Sequence, residues 1–162
     1  MTDFIEKVRI AMEAYFGDDK RRIEHALQVA GYAGELLSYI DADEMTTLAA
    51  AYLHDIGIPE AERKHGSCAG PYQEQEGPPV ARKILEGLGA PEQLVSTVCA
   101  LVGSHHTPAA IDSPEFRILW DADALVNLAE ILPGKSPGQI RTILEKSMVT
   151  EPGFRRAVDL FL

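Results

Sequence analysis

Apolar residues recur at spacings of three and four along almost the whole chain, and no stretch sustains the period of two that a half-buried strand requires. Phe4, Ile5, Val8, Met12, Tyr15 and Phe16 form the first such stripe. "GDD" at 17–19 breaks it and can cap a second helix from about Lys20 to Ile40, with Ile23, Ala26, Leu27, Ala30, Ala33 and Leu37 on its apolar side. "DAD" at 41–43 opens a third helix, which ends near Gly57 ahead of Pro59. Residues 58–77, punctuated by Gly66, Gly70, Pro71 and Gly77, read as a long surface segment, and loops of that length in compact domains are often functional. A fourth helix spans roughly Pro78 to Leu88 and stops at Gly89. Pro91 opens a fifth, "SPE" at 113–115 a sixth reaching about Ile131, Ser136-Pro137 a seventh, and Thr150 to Pro152 a short last one. The expectation is all-α: one domain over 1–162, a compact bundle of seven or eight helices, with no internal repeat.

A chain of 162 residues, 46% hydrophobic and 25% charged, has the length and composition to bury a sizeable core. It has no run of about 18 apolar residues that could span a bilayer. "MTDFIEKVRIAMEAYFG" mixes charges into its apolar pattern and lacks a signal-peptide core. The two cysteines, Cys68 and Cys99, form no CxxC, which suggests neither a disulfide framework nor a zinc knuckle. The cytoplasm is the expected location, with no membrane partner. A net charge of −10 argues against a nucleic-acid polymer, whose phosphates need a basic face. It leaves room for a small phosphorylated molecule, because a few local cations or a metal can hold one phosphate.

One segment breaks the pattern. From Met45 to Gly57 the chain is small, apolar or hydroxylated except for adjacent His54 and Asp55. Buried ionisable groups must pair, bind a metal or shift their pKa. His25 lies at the edge of the second helix's apolar stripe, His105 and His106 end the fifth helix in "GSHHTP", and Asp121 and Asp123 sit within "ILWDADALVNLAEIL". Four helices therefore bring His or Asp to positions flanking the core, as in a site built between helices of a bundle. Each has a plainer reading: a hydrogen-bonded core histidine, a cationic helix end, a solvated aspartate. The order of the motifs carries more weight than any one of them.

That order, His25 in "RRIEHALQVAGYAGELL", His54-Asp55 in "LAAAYLHDIG" and Asp123 in "ILWDADALVNL", resembles the HD-domain superfamily of metal-dependent phosphohydrolases. The resemblance continues through "EGPPVARKILEGLGAPEQLVSTVCALVGSHHTP" and covers about residues 20–130. It implies an all-helical core and a metal held by His25, His54, Asp55 and Asp123. The choice of Asp123 over Asp121 comes from the resemblance alone, through "ADALVN", which leaves Asp121 to orient a ligand. Two-metal members carry further histidines on the middle helices. Here "YQEQEG" stands where the first is expected, while His105 and His106 stand at the second, so the simpler reading is one ion per chain. Two imidazoles and two carboxylates suit Mn²⁺ or Fe²⁺, with Zn²⁺, Ni²⁺ or Co²⁺ also able to bind.

The leading expectation is hydrolysis of a phosphate ester or anhydride of a small molecule, a nucleotide among the candidates, by water activated at the metal. His105 or His106 would face substrate, and Glu60 or Glu76 would orient the water or protonate the leaving group. Arg21, Arg22, Arg63, Lys64 and His65 would bind the phosphate. Two other classes remain: a metal- or nucleotide-binding regulatory module without turnover, and a di-iron oxygenase on the same scaffold. Apolar positions on the first and eighth helices leave a dimer contact open.

Overall fold

The computed structural model describes residues 2–162, and among them the chain is all-helical, with nine helices and no strand. The helices are α1 Thr2–Phe16, α2 Lys20–Leu37, α3 Glu44–Leu53, α4 Ile58–His65, α5 Gly70–Gly87, α6 Glu92–Val102, α7 Pro114–Ile131, α8 Pro137–Ser147 and α9 Glu151–Phe161. None is long and apolar enough to cross a membrane.

α3 lies at the centre because its side chains are small. Ala49, Ala50, Ala51 and Leu53 are fully buried, as is Thr47, and α1, α2, α6 and α7 all pack on this helix. Short side chains let four neighbours close in without voids. Its start is fixed by Asp43, which accepts from the Thr46 amide at 2.9 Å. α2 packs mainly on α7 and α3, so α2, α3 and α7 bring three polar positions to one end of a shared core.

The segment read as a surface loop is instead α4 and the first half of α5. Only Ile58 and Ala61 of α4 are buried, which leaves it with too short a stripe to announce a helix. α5 starts at Gly70-Pro71 and runs through Pro78-Pro79, eight residues ahead of the expected start at Pro78. Those prolines cannot donate to the carbonyls one turn back. Close packing holds the helix across them: a Cβ at Gly57 would lie 2.6 Å from the Gly77 amide nitrogen, and one at Gly77 would lie 2.7 Å from Val102 Cγ1. Glycine at 57 and 77 thus permits the turn after α3 to touch α5 and α5 to touch α6.

α8 and α9 form a hairpin with its own core of Leu125, Leu128, Leu132, Leu144 and Ala157 against α7. Asp121, fully buried, accepts from the Val149 amide at 2.8 Å and from the Thr150 amide and hydroxyl at 2.9 and 2.6 Å. The expectation that Asp121 orients a metal ligand is therefore corrected: it fastens the α8–α9 hairpin to α7. Burial pushes its pKa up, against the pull of these hydrogen bonds.

Candidate metal centre

The ends of α3 and α6 are built alike. His54 caps α3 and turns Nδ1 back to 2.7 Å from the Ala51 carbonyl oxygen; His105, just past α6, places Nδ1 2.7 Å from the Val102 oxygen. A carbonyl accepts only, so Nδ1 carries the hydrogen in both rings and the neutral imidazole presents a lone pair at Nε2. His54 is fully buried, and His105 is buried with an Nε2 that finds no hydrogen-bond partner.

His25 from α2 and Asp123 from α7 meet His54 and Asp55 there. His25 Nε2 lies 2.9 Å from Asp123 Oδ1, 3.3 Å from His54 Nε2 and 3.4 Å from Asp55 Oδ2. His54 Nε2 lies 3.4 Å from both Asp55 Oδ2 and Asp123 Oδ1. Neutral His54 thus faces these carboxylates with a lone pair, acceptor against acceptor, and only a proton or a cation between them makes the arrangement favourable. Donors around an ion with bonds of about 2.1 Å stand about 3.0 Å apart when octahedral and about 3.4 Å when tetrahedral. The cluster's separations span those values, and its donors are compatible with a divalent metal ion.

Electrostatics agree. Burial disfavours a proton on His54, but Asp55 and Asp123 outweigh it and raise its pKa well above the ordinary imidazole value. Burial disfavours charge on Asp55 and Asp123 too. His54 and His105 hold Asp55 far below the usual carboxylate range, and His25 and His54 do the same for Asp123. These carboxylates are ionised and poised for a cation.

On the other side of Asp55, its Oδ1 lies 3.3 Å from His105 Nε2, and Asp55, His105 and His106 form a second cluster of ligand type. His106 is anchored: its ring Nε2 lies 3.0 Å from Gln73 Oε1 and its amide donates to Glu74 Oε2 at 3.0 Å. Burial and neighbouring His105 lower the His106 pKa. Gln73, from the stretch where a two-metal relative was expected to carry histidine, thus meets His106 directly.

Two clefts open on this centre and share His106, Asp123 and Asn127. The smaller, about 390 Å³, is polar and carries Arg21, Arg22, Gln28 and Glu24 beside His25 and Asp55. The larger, about 730 Å³, runs between α7, the α6–α7 link and the hairpin.

The profile of the HD domain matches residues 22–128, well over half of the chain. The chain belongs to the HD-domain family. As an HD domain it falls within a superfamily of metal-dependent phosphohydrolases. It is similar to ribonuclease Y of Desulfotalea psychrophila, 28% identical over 123 residues, which is 76% of this chain but 20% of that protein. The chain therefore spans about a fifth of that relative's length. It is also similar to a crystal structure of a predicted HD superfamily hydrolase from an uncultured Thermotogales bacterium, with TM-score 0.64 and 27% identity, covering 98% of this chain and 83% of the other.

The fold brings together His25, His54, Asp55, Asp123, His105 and His106, with Arg21 and Arg22 on the adjoining polar cleft. It places Glu60, Arg63, Lys64 and His65 elsewhere, on α4, and none of them lines either cleft. Glu60 accepts from Arg63 Nη2 at 2.7 Å, while Lys64 and His65 both engage Glu76, at 2.9 and 3.0 Å. These are bonds between and within α4 and α5, so the expected proton and phosphate roles of the four residues lose their geometric basis. Gln28 and Asn127 were missed; they lie one helical turn beyond His25 and Asp123, a spacing that puts them on the same faces.

Proposed function

We propose that this HD domain hydrolyses a phosphate ester or anhydride of a small molecule, using one Mn²⁺ or Fe²⁺ ion held by His25, His54, Asp55 and Asp123. The observation that carries the reading is that His25 and His54 meet each other and both Asp55 and Asp123 at 2.9–3.4 Å, beside a cleft lined by Arg21 and Arg22. A divalent ion there supplies a Lewis acid for the phosphoryl group and lowers the pKa of water. Arg21 and Arg22 offset the negative charge on the phosphoryl oxygens. His105, its tautomer set by the Val102 carbonyl, sets its buried Nε2 3.3 Å from Asp55 Oδ1 and so positions Asp55 for the ion. His106, oriented by Gln73, borders both clefts and faces the bond between phosphate and organic group.

The ribonuclease Y relative is named for RNA, but a net charge of −10 favours a small substrate here over a polymer. Release of p-nitrophenol from p-nitrophenyl phosphate and its bis ester, with Mn²⁺ or Fe²⁺ supplied, tests the reading. Wild type should turn over at least one ester, with the rate falling about 100-fold or more in Asp123→Ala. No release by wild type, or a variant as fast as wild type, would overturn it.

A further inference from the structure

The larger cleft is out of proportion to a phosphate group. Its volume of about 730 Å³ lies in the range of pockets that enclose whole organic ligands, roughly 300–1,000 Å³. It starts at His105, His106 and Asp123 and continues along α7 past Phe116 and Trp120 to Val149 on the hairpin. The Phe116 and Trp120 rings stand 6.0 Å apart, tilted by 31°. The indole N–H donates to the Ser147 carbonyl at 3.3 Å, which leaves Trp120 with its apolar ring surface for the cleft. Ile111, Leu128 and Val149 extend the apolar lining, and Lys146, which pairs with no carboxylate among the described residues, stands at the same wall.

The contrast with the polar cleft sets a direction. Arg21 and Arg22 lie on one side of Asp123 and the aromatic wall on the other, so a molecule across the centre has its charged end among arginines and its organic end against Trp120. The far wall, Lys146 to Val149, lies beyond residue 128, where the HD profile match ends. Ala109, which also lines the cleft, holds a left-handed backbone at φ 55°, a strained conformation for a residue with a side chain.

Resting on the phosphohydrolase reading, we infer that this cleft is the subsite for the substrate's organic group, and that the group is a flat aromatic ring packed against Trp120. Aromatic faces stack in offset or tilted geometry and gain from burial of the ring, which suits the partly buried Trp120 ring backed by buried Phe116. The α8–α9 hairpin, fastened by Asp121, then sets which esters fit.

Trp120 is the single tryptophan of the chain, so its fluorescence reports on this cleft directly. Benzylphosphonate and methylphosphonate share a head group that water does not cleave, and they differ only in the ring. Titrated calorimetrically into the Mn²⁺-loaded chain, benzylphosphonate should bind at least about tenfold tighter than methylphosphonate and shift the Trp120 emission. Val149 is half exposed, and Val149→Glu should abolish that advantage while leaving methylphosphonate affinity unchanged. Equal affinities, or an advantage that survives in Val149→Glu without an emission change, would overturn the cleft assignment and leave the phosphoryl site standing. Benzylphosphonate binding with an emission shift, while methylphosphonate does not bind, would support the ring subsite and overturn the phosphoryl reading. Binding by neither would overturn both.

Discussion

α7 carries two carboxylates two residues apart, Asp121 fully buried and Asp123 partly so, and they are satisfied in different ways. Asp121 points to the hairpin and takes three hydrogen bonds from the Val149 and Thr150 amides and the Thr150 hydroxyl. Asp123 points to α2 and α3 and meets imidazole nitrogens, one of which, on neutral His54, has no hydrogen left to give. A carboxylate surrounded by true donors is complete as it stands. Asp123 accepts from His25 Nε2 at 2.9 Å but also faces the Nε2 lone pair of His54 when that ring is neutral, and this second contact is favourable only with a proton or a cation between them. The difference sets Asp121, fully buried and fully hydrogen-bonded, apart from Asp123, which keeps 19% of its side chain exposed beside the histidines.

The comparison can be strained most at Gly153. A Cβ there would lie 2.2 Å from Asp121 Oδ2 and 2.8 Å from Thr150 Oγ1. Gly153→Ala should destabilise the fold by about 1–3 kcal/mol, measured by urea unfolding, with metal content per folded chain unchanged. Loss of the metal in a variant that still folds would mean that the hairpin and the centre are one unit, against the separation drawn here.

A smaller effect concerns pH, and its sign differs between Asp121 and the carboxylates beside His54. Burial raises the Asp121 pKa, so its contribution to stability is full below the ordinary carboxylate pKa and is lost as pH rises through the raised value. For Asp55 and Asp123 burial is outweighed by the histidines and the pKa falls. Their contribution is present above the ordinary value and is lost as pH falls through the lowered one. His54 is raised, so its share is full below the ordinary imidazole pKa and disappears as pH rises through the folded value. Urea midpoints of chelator-treated protein should therefore fall on the alkaline side, and Mn²⁺ should remove that fall by replacing the His54 proton. In Asp121→Asn the alkaline limb should persist. Its disappearance in that variant would assign the limb to Asp121 instead of His54.

Much of this was legible in the sequence because the signals were local. Ser113, Ser136 and Thr150, each followed by proline within two residues, announced α7, α8 and α9, and each side chain accepts from the amide three residues on. The His25, His54-Asp55 and Asp123 positions were legible through their order along the chain. α4 and the start of α5 were not, since glycines that mark loops serve here as contact points between helices. The role of Asp121 was hidden because helical spacing puts it two residues, over half a turn, from Asp123 and says nothing about which partner each side meets. The charges of α4 looked suited to phosphate on composition alone; Glu76, buried on α5, claims Lys64 and His65 instead. The aromatic cleft needs the hairpin folded against α7, a contact that no local pattern encodes.

The most direct test of the central claim is metal content by elemental mass spectrometry on protein purified without chelator, for wild type and for His54→Gln, with circular dichroism to confirm that both fold. The account predicts about one divalent ion per wild-type chain and loss of that ion in the variant with helicity retained. A folded wild type that takes up no Mn²⁺ or Fe²⁺ when either is supplied, or a His54→Gln chain that keeps its ion, would contradict it.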